Sequence, residues 1–201
     1  LPTDIIKSTV IGSLPKEKQQ GYTEKWEGLE ELTGRDGFNE VFTHTRTIFV
    51  KERQKKTLRE EFEEYVFKTV SPEQLIDDYL VPYTNAYVQL KNCEFTATHH
   101  ADEVNGLLFW LNKTNNSDWM PAIKFLAEHP NDSEYVLWFI RKLERLASYL
   151  LVTAQDVNHR VDRYKWLLVE MESRPDSTLA DPLRNIELTD WEKEQFQQTL
   201  D

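Results

Sequence analysis

Glycine is scarce in this chain, at 6 of 201 residues. Tightly turned β proteins need more, with about 7% being usual, so the shortage argues against a sandwich or barrel and for helices. Cysteine occurs once, as Cys93. That excludes an internal disulfide and a zinc site built on paired cysteines, and a lone thiol suits a reducing cytoplasm. Long apolar runs are missing. None approaches the roughly 18–20 residues of a membrane span, and the first residues show no signal-peptide pattern. Positive charge is also short, with 24 Lys and Arg against 35 Asp and Glu, a net −11. Overall that sign repels a phosphate backbone, and it leaves room only for a local basic patch. The common catalytic signatures are absent: no G-x-G-x-x-G, no phosphate loop ending in G-K-[ST], no H-E-x-x-H and no G-x-S-x-G. Pro175-Asp176 matches the opening of some nuclease motifs, but no acid-x-Lys strand follows.

What remains is an aromatic-rich chain with helix signals almost end to end. Aromatic residues make up 12%, too many for a disordered segment. Thr3 reads as an N-cap with Asp4 in the first turn, ahead of Ile5, Ile6, Val10 and Ile11. Trp26, Leu29 and Leu32 repeat at helical spacing up to a break at Gly34-Arg35-Asp36-Gly37. Phe38, Val41, Phe42, Thr45 and Phe49 then form one stripe. Thr43 to Val50 is the best strand candidate, being β-branched and aromatic, yet no turn separates it from Phe38 to Phe42, which favours helix.

Ser71-Pro72-Glu73-Gln74, Asn131-Asp132-Ser133-Glu134 and Thr189-Asp190-Trp191-Glu192 read as capping boxes. The first opens a helix with Pro82 as a kink. The second opens the strongest amphipathic pattern, Val136 to Leu151. Shorter helices follow from Val104 to Leu111, stopped by Asn115-Asn116-Ser117, and from Val157 to Met171. Ser173 to Glu187 is the longest break and would let the last helix dock separately. The expected fold is all-α, an irregular multi-helix bundle of about nine or ten helices. It reads as a single helical domain over 1–201, with a subdivision into 1–70 and 71–201 as the alternative.

The one basic island is RTIFVKERQKKTLR. It brings Arg46, Lys51, Arg53, Lys55, Lys56 and Arg59 together with a single acid, Glu52. Such a patch can track phosphates, and these six residues are the candidate nucleic-acid contacts. The competing reading is a solvated, self-neutralised segment: Glu60, Glu61, Glu63 and Glu64 follow at once, and Lys56–Glu60 and Arg59–Glu63 stand at i, i+4. A second basic set, Arg141, Lys142 and Arg145, adjoins Arg160, Arg163 and Lys165 if their two helices pair antiparallel.

His99-His100 with Asp102 and Glu103 resembles a metal cluster in composition, but adjacent histidines point apart on a helix. A helix start capped by Thr98 explains the acids better. His44 has no catalytic signature around it. His129 reads as a helix-terminal histidine facing the dipole, and His159 with Arg163 reads as solvated surface. Cys93 lacks a histidine partner and reads as an idle thiol. No catalytic residue and no metal ligand is assigned.

The order of several segments carries a resemblance. LPTDIIKSTVIGSLP, KWEGLEELTGRDGFNEVFTH, LREEFEEYV, SPEQLIDDYLVPYTNAY and FIRKLERLASYLLV together resemble the GmrSD-type, modification-dependent restriction enzymes of bacteria. In that family a ParB-like N-terminal domain with a D-G-Q-Q-R motif is linked to nucleotide hydrolysis. A C-terminal HNH-type nuclease domain carries E-H-[IL]-x-P, and a helical region lies between the two. Thr3, Asp4, Ile5, Ile6 and Lys7 resemble the seam where the ParB-like domain enters that region.

Neither catalytic motif is in this sequence, and Glu128-His129-Pro130 has the wrong spacing. No catalytic residue therefore carries over. The resemblance implies a non-catalytic helical segment of a larger nuclease. Its partners would be the flanking domains and DNA rather than a membrane. It would hold no cofactor of its own, the nucleotide and divalent metal belonging to the parent protein. The alternative is a structural or protein-interaction module.

Overall fold

Helical periodicity, capping and the shortage of glycine lead to an all-helical chain. The computed structural model describes residues 1–114 and 116–201. Among them there are nine helices and no β-strand. The single β-bridge, Thr178 with Asp181, belongs to a turn. No helix among the described residues is long and apolar enough to cross a membrane. The chain divides into two compact units, Leu1–Val88 and Gln89–Asp201. The division falls inside a helix.

The first unit opens with α1 (Pro2–Gly12) and α2 (Lys16–Val50). Pro2 occupies the first helical position, where its missing N–H costs nothing. Helix α1 therefore begins ahead of Thr3, which is a buried first-turn residue and not the cap. Thr43 to Val50 is helical.

Helix α2 is helical on both sides of Gly34, which alone breaks it, with φ 72° and ψ 165°. That region is essentially reserved for glycine. The consequence is large. Trp26 and Phe38 would stand about 18 Å apart along a straight helix, yet their rings meet edge to face at 5.6 Å. Trp26 also meets Phe42 at 5.3 Å, and Phe42 meets Phe62 at 5.3 Å. Gly34 thus folds α2 back on itself to close an aromatic core. Leu32 is left 52% exposed. Successive i+3 steps walk around a helix, and two of them carry Leu32 about 120° from Trp26.

Helix α3 spans 58–66, as α-helix over Leu58–Glu61 and π-helix over Phe62–Val66. Helix α4 spans 72–92. It is α-helical over Pro72–Gln74, π-helical over Leu75–Leu80 and α-helical again over Val81–Asn92. Pro82 has no N–H to return into the preceding turn. The ladder just before it is widened, with Val81 N–H donating to Ile76 O. The expected kink is a π segment leading into an α-helix. Leu75, Ile76 and Leu80 on that segment are fully buried. Lys25 and the Tyr22 hydroxyl both reach the Asp77 carboxylate at 2.6 Å, fastening α2 to α4.

The second unit holds α5 (Ala101–Leu111), α6 (Ile123–Glu128), α7 (Ser133–Val152), α8 (Val157–Ser173) and α9 (Asp190–Leu200). A 3-10 turn, Met120–Ala122, leads into α6. Helix α7 carries the strongest apolar face and packs against α5 and α9. Its cap is Asp132, which accepts from Tyr135 N–H, so the Asn131 box is displaced by one residue. Ser71 and Thr189 form their boxes as expected. Thr98 does not cap α5. His100 occupies that position in a left-handed conformation at φ 67°. The segment before it is held by Asn105, whose side-chain amide exchanges two hydrogen bonds with the Phe95 backbone. Of the residues expected to stop α5, Asn115 lies outside the described set.

The Ser173 to Glu187 connection does not hang free. Leu183 and Ile186 are 1% exposed. Leu183 N–H donates to the buried Tyr135 hydroxyl at 3.2 Å. Helix α9 is joined to α8 through Arg163 and Glu192.

A substitution pair isolates the role of Gly34. A Cβ at Gly34 or at Gly28 meets nothing within 4 Å, so space is not the difference between them. Gly34→Ala is expected to destabilise the first unit by about 1–3 kcal/mol through backbone strain alone. Gly28→Ala, inside a helix, is expected to stabilise by up to about 1 kcal/mol. Urea unfolding followed by Trp fluorescence measures both.

Candidate nucleic-acid interface

The basic island begins inside α2 and ends inside α3, and its middle is not helical. Lys51 ends α2 in a left-handed conformation at φ 58°, with its N–H on Thr47 O at 2.7 Å. Residues 51–57 cross in the open. Thr57 then caps α3: its hydroxyl accepts from Glu60 N–H, and the Glu60 carboxylate accepts from Thr57 N–H at 2.9 Å. This box is legible in the sequence as T-x-x-E, although the stronger boxes elsewhere draw attention from it.

Arg46 is not on the surface. It is 2% exposed, and its guanidinium pairs with the Glu61 carboxylate, also buried. Glu61 accepts in addition the backbone N–H of Lys55 at 2.8 Å and of Lys56 at 3.0 Å. Arg46 donates onward to Glu52 O. Burial works against the Glu61 charge. The Lys55 N–H, the Arg46 guanidinium and the Lys56 N–H outweigh it and hold the carboxyl below its usual range. Nothing local singles out Glu61 among the acids at Glu60, Glu63 and Glu64. Only the return of α3 beside α2 places it over Arg46.

The remaining candidates lie outward. Arg53, Lys55, Lys56 and Arg59 are exposed and Lys51 is half-buried. Three of these cations have carboxylate partners: Lys55 with Glu52 at 3.1 Å, Lys56 with Glu64, and Arg59 with Glu63 at 2.8 Å. The Arg59–Glu63 pair is the expected one. Lys56 reaches Glu64, not Glu60, because Lys56 precedes the helix and Glu60 is engaged by Thr57. The Glu64 contact raises the Lys56 ammonium, and Lys56 in turn lowers the Glu64 carboxyl. These pairs are solvent-exposed, where such contacts contribute little and yield to salt or a competing anion.

The second basic set is distributed among separate partners. Arg141 pairs with Glu103 of α5, Lys142 with Glu187 at 2.7 Å, and Arg160 with Asp118 at 2.6 Å. Arg163 is not solvated surface. Its side chain is 13% exposed, and it donates to Glu192 at 2.9 Å, to Glu187 O at 2.8 Å and to Asn185 O.

His100 Nδ1 lies 3.1 Å from Glu103. No group of three or more His, Cys, Asp or Glu among the described residues is placed to hold a metal ion. His129 does end α6, but not as a cation facing a dipole. Its ring stacks on Phe125 at 4.3 Å, and Phe125 stacks on Phe139 at 3.8 Å. Its Nδ1 is buried and finds no hydrogen-bond partner, and its burial pushes the imidazole pKa down.

No family model, curated protein or solved structure matches the chain.

Two pH-dependent outcomes follow from Glu61 and from half-buried His129. The folded pKa of Glu61 is lowered, so its stabilisation is complete above about pH 4.3 and is lost as pH falls through the folded value. Glu61→Gln leaves Arg46 buried without a counter-charge. It is expected to cost about 3–5 kcal/mol at neutral pH and to shrink that acid dependence, as urea melts across pH 3–7 would show. The folded pKa of His129 is also lowered, but for a base this means the unfolded chain binds the extra proton. Stability is then full above about pH 6.5 and falls as pH drops below it. His129→Phe keeps a stacked ring, and the pH 5–7 part of the slope should flatten in the same melts.

Proposed function

We propose that this chain is a non-catalytic helical module of a modification-dependent restriction protein. In this reading it joins a nucleotide-using ParB-like domain to an HNH-type nuclease and presents the 51–57 loop to DNA. Nucleotide and divalent metal would be held by those flanking domains. The sequence resemblance supplies the context, and one observation in the structure supports the contact. Arg53, Lys55 and Lys56 project from a loop whose backbone is fixed from beneath by Glu61. A phosphate would meet a loop whose backbone is already positioned, so little backbone entropy is lost in ordering it. Arg46 contributes by holding the loop, and Lys51, Arg53, Lys55, Lys56 and Arg59 would face the backbone.

A protein-interaction module is the second reading. It is favoured by Phe109 and Trp110, which are 48% and 63% exposed and lie edge to face at 5.5 Å. Trp191 is also exposed, whereas Trp26 and Trp119 are core residues.

DNA binding by fluorescence anisotropy separates the two readings. The chain is expected to bind duplex DNA at about 50 mM salt and to lose most of that affinity by about 200 mM. Lys55→Glu with Lys56→Glu reverses two exposed side chains, leaves their backbone N–H groups on Glu61, and should abolish the binding. Absence of salt-sensitive binding, or indifference to the charge reversal, removes the DNA contact and leaves the interaction reading.

A further inference from the structure

We propose that the second unit carries a binding site for a small organic phosphate monoester, in the cleft formed by α7, the 186–188 segment and the first turns of α9. The proposal is independent of the DNA-contact reading, which concerns the first unit. The cleft is about 240 Å³ and is lined by Lys142, Arg145, Ile186, Glu187, Leu188 and Lys193. Three cations therefore face one carboxylate in a chain that is otherwise strongly acidic. Ile186 and Leu188 form the buried floor of the same cleft, at 1% and 9% exposed.

Arg145 is the residue that distinguishes the cleft. Arg141, Arg160, Arg163 and Arg174 of the same unit each pair with a carboxylate. Arg145 does not: its guanidinium carbon lies 4.6 Å over the Phe196 ring centroid. Among the described residues that ring contact is not accompanied by a hydrogen bond or ion pair of the guanidinium, so its N–H donors stay available for a bidentate oxyanion. The group is thus held in place by an aromatic ring while its donors remain open. Lys142 is steered from two sides, by Glu187 at 2.7 Å and by the Trp138 ring at 5.7 Å. Lys193 touches Asp190 at 3.3 Å and is otherwise extended into solvent.

The lining charge selects the ligand. The lining residues, three cations and one carboxylate, leave a surplus of two once the exposed Lys193–Asp190 pair yields to the anion, which matches a phosphate monoester at neutral pH and exceeds what a carboxylate neutralises. Glu187 holds Lys142 until the phosphoryl oxygens replace it. The volume of about 240 Å³ suits a phosphoryl group with a short stem between the Lys142 and Arg145 side chains, not a polymer.

Isothermal titration of the full chain with phenyl phosphate tests the site, with inorganic phosphate and benzoate as comparison ligands. Saturable binding of phenyl phosphate is expected, with inorganic phosphate and benzoate both weaker. Arg145→Gln should weaken it at least about tenfold, as loss of a charge-assisted pair does. Glu187→Gln, which removes the competing carboxylate, should tighten it. Arg141→Gln, on the same helix but outside the cleft, should leave it unchanged, and circular dichroism checks that each variant keeps its helix content. The proposal is overturned by any one of four results. These are no saturable binding, benzoate or inorganic phosphate binding as tightly as the ester, full affinity in a folded Arg145→Gln chain, or equal losses in the Arg141 and Arg145 variants.

Discussion

Glu61 gathers two backbone N–H groups and the Arg46 guanidinium on one buried carboxylate, and the path of residues 51–57 follows from it. Backbone donors outside a helix still need acceptors when they are shielded from water. A carboxylate supplies several at once, with charge-assisted strength. The second unit uses the same solution twice. Glu170, 8% exposed, accepts the backbone N–H groups of Arg184 and Asn185 and the Asn185 side-chain amide. Glu192 accepts Thr189 N–H and the Arg163 guanidinium, while Arg163 spends its other donors on the carbonyls of Asn185 and Glu187. The long stretch between α8 and α9 is thereby tied down without secondary structure of its own.

These buried charges are costly to desolvate and are retained because each carboxylate gathers several donors, although one Arg46 nitrogen, Nη2, is buried without a partner among the described residues. That distinguishes them from the many surface pairs of this acidic chain, such as Lys55–Glu52 and Arg59–Glu63, which water and salt screen. The distinction bears on function. Residues of one basic run divide into a structural member, Arg46, and outward members whose partners are exchangeable. Net charge by itself hides this division. Charge supply to a ligand depends on which carboxylates are locked in the interior and which are free to be displaced. The same reasoning separates Arg145, which lies over the Phe196 ring, from Arg163, whose donors are consumed by the fold.

The aromatic content has a matching division of labour. In the first unit Trp26, Phe38, Phe42 and Phe62 close the α2 turn with rings 5.1–5.6 Å apart. In the second, Phe125, His129, Tyr135 and Phe139 form a stack with edge contacts at the junction of α6 and α7. Such ring pairs contribute about 0.5–1.5 kcal/mol each beyond their buried area, and they fix geometry as well as stability. Tyr135 adds a polar function, donating to Ser177 and accepting from Leu183 N–H. An aromatic core residue thus helps seat the loop that precedes α9.

The sequence by itself determined the all-helical class, the capped starts of α4 and α9 and the existence of a break near Gly34. These are local matters of 3.6-residue periodicity, caps and a residue able to take positive φ. It also located the basic island and the Arg59–Glu63 pair, both of which depend on neighbours in the chain. Tertiary structure decided the rest. Leu32 falls outside the core, Thr3 and Thr98 do not cap, and Arg46 is withdrawn from the island. Arg163 becomes a strut and His129 a ring stacked on Phe125. In each case the outcome depends on what another segment brings alongside: α3 over Arg46, the 183–188 segment over Arg163, Phe125 and Ser177 around His129. Periodicity shows which face of a helix is apolar. It does not show which distant carboxylate or ring will meet a given cation, because that is set by how the helices return against one another.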